Sequence, residues 1–114
     1  MTDSSHSHLI AIDGGGTSCR FALQGPAGRL VIRRGSANVY SAPEAALDTL
    51  RGGLADLARE AGLAPGALAE IPAYAGLAGV IDAEGADAIA AQLPLKRLRV
   101  EDDRPAAVAG ALGA

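Results

Sequence analysis

Asp13-Gly14-Gly15-Gly16-Thr17-Ser18 sets a carboxylate beside three consecutive glycines. Glycine has no β-carbon, so a backbone built from it can turn sharply and come close to a ligand. Successive N–H groups in such a turn can converge on an anion. Asp13, where an apolar run meets the turn, could reach a Mg²⁺ ion directly or through water while the turn holds phosphate oxygens. The pattern is neither of two well-known glycine loops. It has no Gly-Lys-Ser/Thr run, and Cys19 occupies the position of the third glycine of the dinucleotide fingerprint. A plain hairpin turn without a ligand is the alternative.

Three further stretches carry candidate chemistry. Gly35-Ser36-Ala37-Asn38 ends on an amide with both a donor and an acceptor, suited to a sugar hydroxyl. Its alternative is a turn asparagine bonded to its own backbone, which position alone favours. Gly76-Leu77-Ala78-Gly79 would let a ligand or a neighbouring backbone approach closely; a loose strand end is the competing reading. Asp102-Asp103, ahead of an alanine-rich segment, supplies carboxylates, one of which could serve as a helix N-cap.

The elements that must position these residues follow from periodicity. Leu9, Ile10 and Ile12 mark a buried strand before the glycine turn. Residues 18–24 read as a second strand and Arg29–Arg34 as a third, after the Gly25-Pro26-Ala27-Gly28 turn, giving an antiparallel meander. Ser41-Ala42-Pro43-Glu44 has the form of a capping box. The helix it opens carries Leu47, Leu50, Leu54 and Leu57 on one face. Gly52-Gly53 weakens its middle unless it packs closely there, and Gly62 ends it as a left-handed cap. Ala64-Pro65-Gly66 reads as loop. Ala73–Leu77 reads as a buried parallel strand with Pro72 at its start. A second helix is expected from Asp82 to about Leu93, stopped by Pro94. A fifth strand then spans Leu95–Val100, and a last helix Ala106–Leu112. The order β-β-β-α-β-α-β-α implies an α/β fold with one five-stranded mixed sheet and helices on both faces. Ligands gather at the carboxyl ends of parallel strands. Asp13, Gly76–Gly79 and Asp103 are all expected at that edge.

The totals narrow the function. One domain accounts for 114 residues. Three aromatic residues and a net charge of −3 argue against a nucleic-acid partner. One cysteine makes no disulfide framework and suits a reducing, cytoplasmic compartment. No apolar run approaches a membrane span, so no membrane partner is expected. Residues 1–8 lack a signal-peptide core and read as a disordered tail, leaving 9–114 as the folded unit.

With these motifs in order, the sequence resembles the N-acetylglucosamine kinase and BadF/BadG-type ATPase family. That family lies in the sugar kinase, actin and heat-shock ATPase superfamily. The resemblance rests on Asp13-Gly14-Gly15-Gly16-Thr17, Gly35-Ser36-Ala37-Asn38, Gly76-Leu77-Ala78-Gly79 and Asp103. It looks closest to bacterial glucosamine kinases. The resemblance implies a ribonuclease H-like, actin-like ATPase lobe. It implies that Gly14, Gly15, Gly16, Thr17 and Ser18 hold the phosphates of ATP, with Asp13 at Mg²⁺. Asn38 and Gly79 would border an amino-sugar site. Asp103, rather than its neighbour Asp102, would take the proton from the sugar 6-hydroxyl. Many relatives carry Lys or Arg where this chain has Ser18. Relatives also continue into a second lobe with the adenosine pocket. This chain is therefore expected to be a first lobe, partnered by its own C-terminal lobe and inactive by itself, with an interlobe face that allows a homodimer. Glucosamine is the expected acceptor and N-acetylglucosamine the alternative. An electron-transfer activator ATPase with an iron–sulfur cluster, or a non-catalytic sugar-sensing module, are readings of another class.

Overall fold

Ile10 and Ile12 alternate with Ala11 and Asp13, so one strand serves two faces of a sheet. The computed structural model describes residues 8–15, 17–26, 28–80 and 83–102. It contains strands β1 (Leu9–Gly14), β2 (Cys19–Gly25) and β3 (Gly28–Arg34), helix α1 (Pro43–Glu60), a 3-10 helix (Pro65–Glu70), strand β4 (Ala73–Leu77), helix α2 (Ala83–Ala90) and strand β5 (Leu98–Asp102). The five strands form one sheet in the order β3-β2-β1-β4-β5. The first three are an antiparallel meander, and β4 and β5 add in parallel to β1. This is the expected mixed sheet. The helix expected over Ala106–Leu112 lies outside the described residues, as do Asp82, Gly16 and Asp103.

Ile12, Phe21, Ile32, Ala75 and Val100 are register partners across the whole sheet and share one face. That face carries the core, where Leu50, Leu54 and Leu57 of α1 and Ala86 and Ile89 of α2 join Ile10, Ile12, Phe21 and Leu77. Both crossovers, β3-α1-β4 and β4-α2-β5, step the same way along the sheet. A common hand therefore puts both helices on the same side. Ala11, Asp13, Arg20 and Ala22 occupy the opposite face.

At Gly53, α1 packs directly against the sheet. A β-carbon there would fall 2.2 Å from the Phe21 ring. The glycine that weakens the isolated helix is the notch that seats this ring. At the far end Gly62 takes φ +73°. Its N–H donates to Arg59 O at 3.1 Å and Leu63 N–H to Ala58 O at 2.9 Å, a complete Schellman motif.

Four expectations are corrected. The Ser41–Glu44 capping box does not form: α1 begins at Pro43 after Ala42, with no side-chain cap. Ser41 N–H instead donates to Asn38 Oδ1 at 3.1 Å. Pro65–Glu70 is a 3-10 helix rather than loop. Helix α2 ends at Ala90, after which Gln92 N–H and Leu93 N–H make tighter bonds, three residues back, to Ile89 O and Ala90 O. Strand β5 starts at Leu98 instead of Leu95, because Lys96 N–H is drawn to Ala69 O at 3.0 Å and Leu95 is buried in the core.

Candidate functional site

Gly14, Leu77 and Asp102 are register partners, so β1, β4 and β5 all end at one edge of the sheet. The glycine turn leaves from that edge, and Gly15 N–H closes it by donating to Ser18 O at 2.8 Å. Three main-chain bonds stitch the neighbouring segments to it. Ala78 N–H donates to Gly14 O at 2.7 Å, Ala37 N–H to Gly15 O at 3.1 Å, and Val39 N–H to Ala78 O at 3.1 Å. Three stretches far apart along the chain, 14–18, 35–38 and 76–79, thus form one hydrogen-bonded rim. A β-carbon on Gly14 would fall 2.7 Å from Leu77 Cδ2, so any larger residue there would make the Leu77 side chain shift.

Asp13 lies on the face of the sheet away from α1. Its cross-strand partner Arg20 sets Nη2 3.6 Å from Oδ2, with both side chains about 40% exposed. On its other side Asp13 faces Gly76, which contributes no side chain. Thr17 and Ser18 are exposed beside it. No group of three His, Cys, Asp or Glu side chains could hold a metal ion among the described residues. An ion here would therefore draw on Asp13 together with water and ligand oxygens. That donor set suits Mg²⁺, which keeps several waters and binds through one or two carboxylates plus phosphates. Exposed hydroxyls, a glycine-rich turn and a half-exposed carboxylate fit such a group.

Asn38 and Gly79 meet. Gly79 has φ +91°, and a β-carbon there would lie 2.5 Å from Asn38 Oδ1. Asn38 Oδ1 accepts from Tyr40 N–H at 3.0 Å and from Ser41 N–H at 3.1 Å. The turn-asparagine reading therefore describes this oxygen. These two donors also fix the orientation of the amide, leaving Nδ2 with no acceptor among the described residues.

Arg20 and Tyr40 were not singled out by sequence reasoning. Arg20 could have been found by counting outward from a four-residue turn, which pairs position 13 with 20. Cys19 is fully buried, and burial first, then the charge of Asp13, pushes its thiol up to about 12. Such a thiol is a core residue and a poor cluster ligand, which weighs against the iron–sulfur activator. Among the described residues, no helix is long and apolar enough to cross a membrane.

The five-stranded mixed sheet with its helices is consistent with the fold of an actin-like ATPase lobe. Among solved structures, the chain is similar to a "putative N-acetylglucosamine kinase" from Chromobacterium violaceum. The two share 25% identity at a TM-score of 0.72, over 96% of this chain and 39% of that one. It is also similar in fold to YeaZ from Pseudomonas aeruginosa, at 21% identity and a TM-score of 0.51, over 84% of this chain and 44% of that one. Both neighbours lie in the actin-like ATPase superfamily. The chain thus spans less than half the length of either. No protein-family model and no curated protein matches it.

Proposed function

We propose that this chain is the N-terminal lobe of an ATP-dependent kinase that phosphorylates the 6-hydroxyl of D-glucosamine. The observation that carries the reading is the rim itself. A glycine turn beside Asp13 is bonded through main-chain groups to the Asn38 loop and to the glycine end of β4. The similarity to the Chromobacterium violaceum protein supports it, and that protein's description supports N-acetylglucosamine as the competing acceptor.

Phosphoryl transfer asks a protein mainly for positioning and charge neutralisation. In this reading Gly14, Gly15, Gly16, Thr17 and Ser18 hold the phosphates, and Asp13 orients the Mg²⁺ that would neutralise them. Asn38, through Nδ2, and Gly79 border the acceptor sugar. Asp103 follows directly on Asp102, whose backbone closes β5 at this edge. It takes the proton as the sugar oxygen bonds to the γ-phosphorus and ADP leaves. The second lobe supplies the adenosine pocket and the other wall of the sugar site.

The test is a coupled assay of the intact protein with ATP and glucosamine, N-acetylglucosamine or glucose, with the phosphorylated position mapped by NMR. Glucosamine 6-phosphate is the expected product. Asp103→Asn is expected to abolish turnover while calorimetry still detects sugar binding. Absence of turnover with every hexose and hexosamine overturns the reading.

A further inference from the structure

Tyr40 is 71% exposed, the barest large hydrophobic residue among those described. Its main chain is firmly held. Tyr40 N–H and Ser41 N–H share Asn38 Oδ1, Ala42 N–H donates to Asn38 O at 3.1 Å, and Val39 N–H donates to Ala78 O at 3.1 Å. Gly79 packs against it so closely that a β-carbon there would fall 2.6 Å from Tyr40 N and 2.9 Å from Tyr40 Cβ. The root of this side chain is thus anchored to the end of β4, while its ring stands in water. The other two aromatics behave otherwise: Phe21 is fully buried under Gly53, and Tyr74 is half-buried on β4.

We infer that Tyr40 is the stacking platform of the acceptor site, its ring taking the apolar C–H face of a pyranose. This rests on the kinase reading above and adds the residue that supplies much of the sugar affinity. A pyranose is amphipathic, with hydroxyls around its rim and C–H groups on its faces. A tyrosine ring matches it with an apolar face and a polar tip that stays wet. The Nδ2 donor of Asn38, two residues away, is available for a rim hydroxyl. A stacked ring reads the sugar face, not the substituent on C2. It therefore raises affinity for glucosamine and N-acetylglucosamine alike and leaves the choice between them to other groups.

The experiment compares the intact wild-type protein with Tyr40→Ala and Tyr40→Phe, measuring KM for each sugar, KM for ATP, and thermal melting. Loss of one aromatic stack corresponds to about a tenfold loss of affinity. Tyr40→Ala is expected to raise KM for both sugars about tenfold while leaving KM for ATP and the melting temperature unchanged. Tyr40→Phe is expected to behave as wild type. Tyr40→Ala with an unchanged sugar KM, or with an equal rise in KM for ATP, overturns the inference and leaves the kinase reading standing. A wild-type protein that neither binds nor phosphorylates a hexosamine overturns both.

Discussion

At Gly79 the backbone occupies the left-handed region, and the space a side chain would need is filled by Asn38 and Tyr40. Gly79→Ala combines backbone strain with steric overlap, and is expected to destabilise the fold by about 1–3 kcal/mol. Urea denaturation measures this. The shared geometry means that the substitution also displaces Asn38, so sugar binding should fall with stability. Cys19 gives a second prediction. Its thiol, buried on the core face of β2 and pushed up to about 12, presents almost no thiolate near neutrality. Ellman's reagent at pH 8 should leave it unmodified in the native protein and titrate it fully in denaturant.

Helix α1 offers two adjacent glycines with opposite expected outcomes. Gly52 has open space where a β-carbon would go, so Gly52→Ala should stabilise by about 1 kcal/mol through helix propensity alone. Gly53 seats the Phe21 ring at 2.2 Å, so Gly53→Ala should destabilise by about 1–3 kcal/mol as the helix is pushed off the sheet. Thermal melts of the two variants make the comparison. The edge strand β3 is tied to α1 by Arg34, which donates to Asp56 Oδ2 from Nε at 3.0 Å and from Nη2 at 2.7 Å; Arg59 holds Oδ1. The Arg34 hydrogen bonds, and then the charges of Arg59 and Arg34, hold the Asp56 carboxyl below its ordinary value. A carboxyl lowered on folding stabilises above its unfolded pKa and loses that contribution as pH falls through the folded one. Wild type should therefore exceed Asp56→Asn in stability at pH 7, and the difference should vanish toward pH 2. Solvent screening keeps it small.

On the scale of the whole molecule, the described helices pack on the face of Ile12 and Phe21. The rim of 14–18, 35–38 and 76–79 crowns the carboxyl edge. In the proposed kinase, such an edge would form one side of a cleft. Phosphoryl transfer needs donors and walls on both sides of the transferred group. The 114-residue chain, spanning 39% of the Chromobacterium violaceum protein, is accordingly expected to show no ATP-dependent phosphorylation by itself. Adding it to glucosamine and ATP in the coupled assay checks this, and turnover by the lone lobe would contradict it.

Features that depend on near neighbours were determined by the sequence itself. The strand at Ala73–Leu77, the left-handed cap at Gly62 and the glycine turn after Asp13 each follow from residues within a few positions of one another. Chain order and crossover handedness then placed the turn and Gly76–Gly79 at a common edge. Tertiary structure alone decided the rest, because there distant groups compete for the same partner. At Asn38 a local and a distant bond act together. Its Oδ1 captures the N–H of Ser41 three residues on, as the turn-asparagine reading allows, while the long-range bond from Val39 to Ala78 holds that turn at the rim and the capping box does not form. Ala69, brought in by the 3-10 helix, takes the N–H of Lys96 and delays β5. Close packing at Gly52-Gly53 was open from the sequence, but that Gly53 alone seats a ring, and that the ring is Phe21, is visible only once β2 and α1 are packed together.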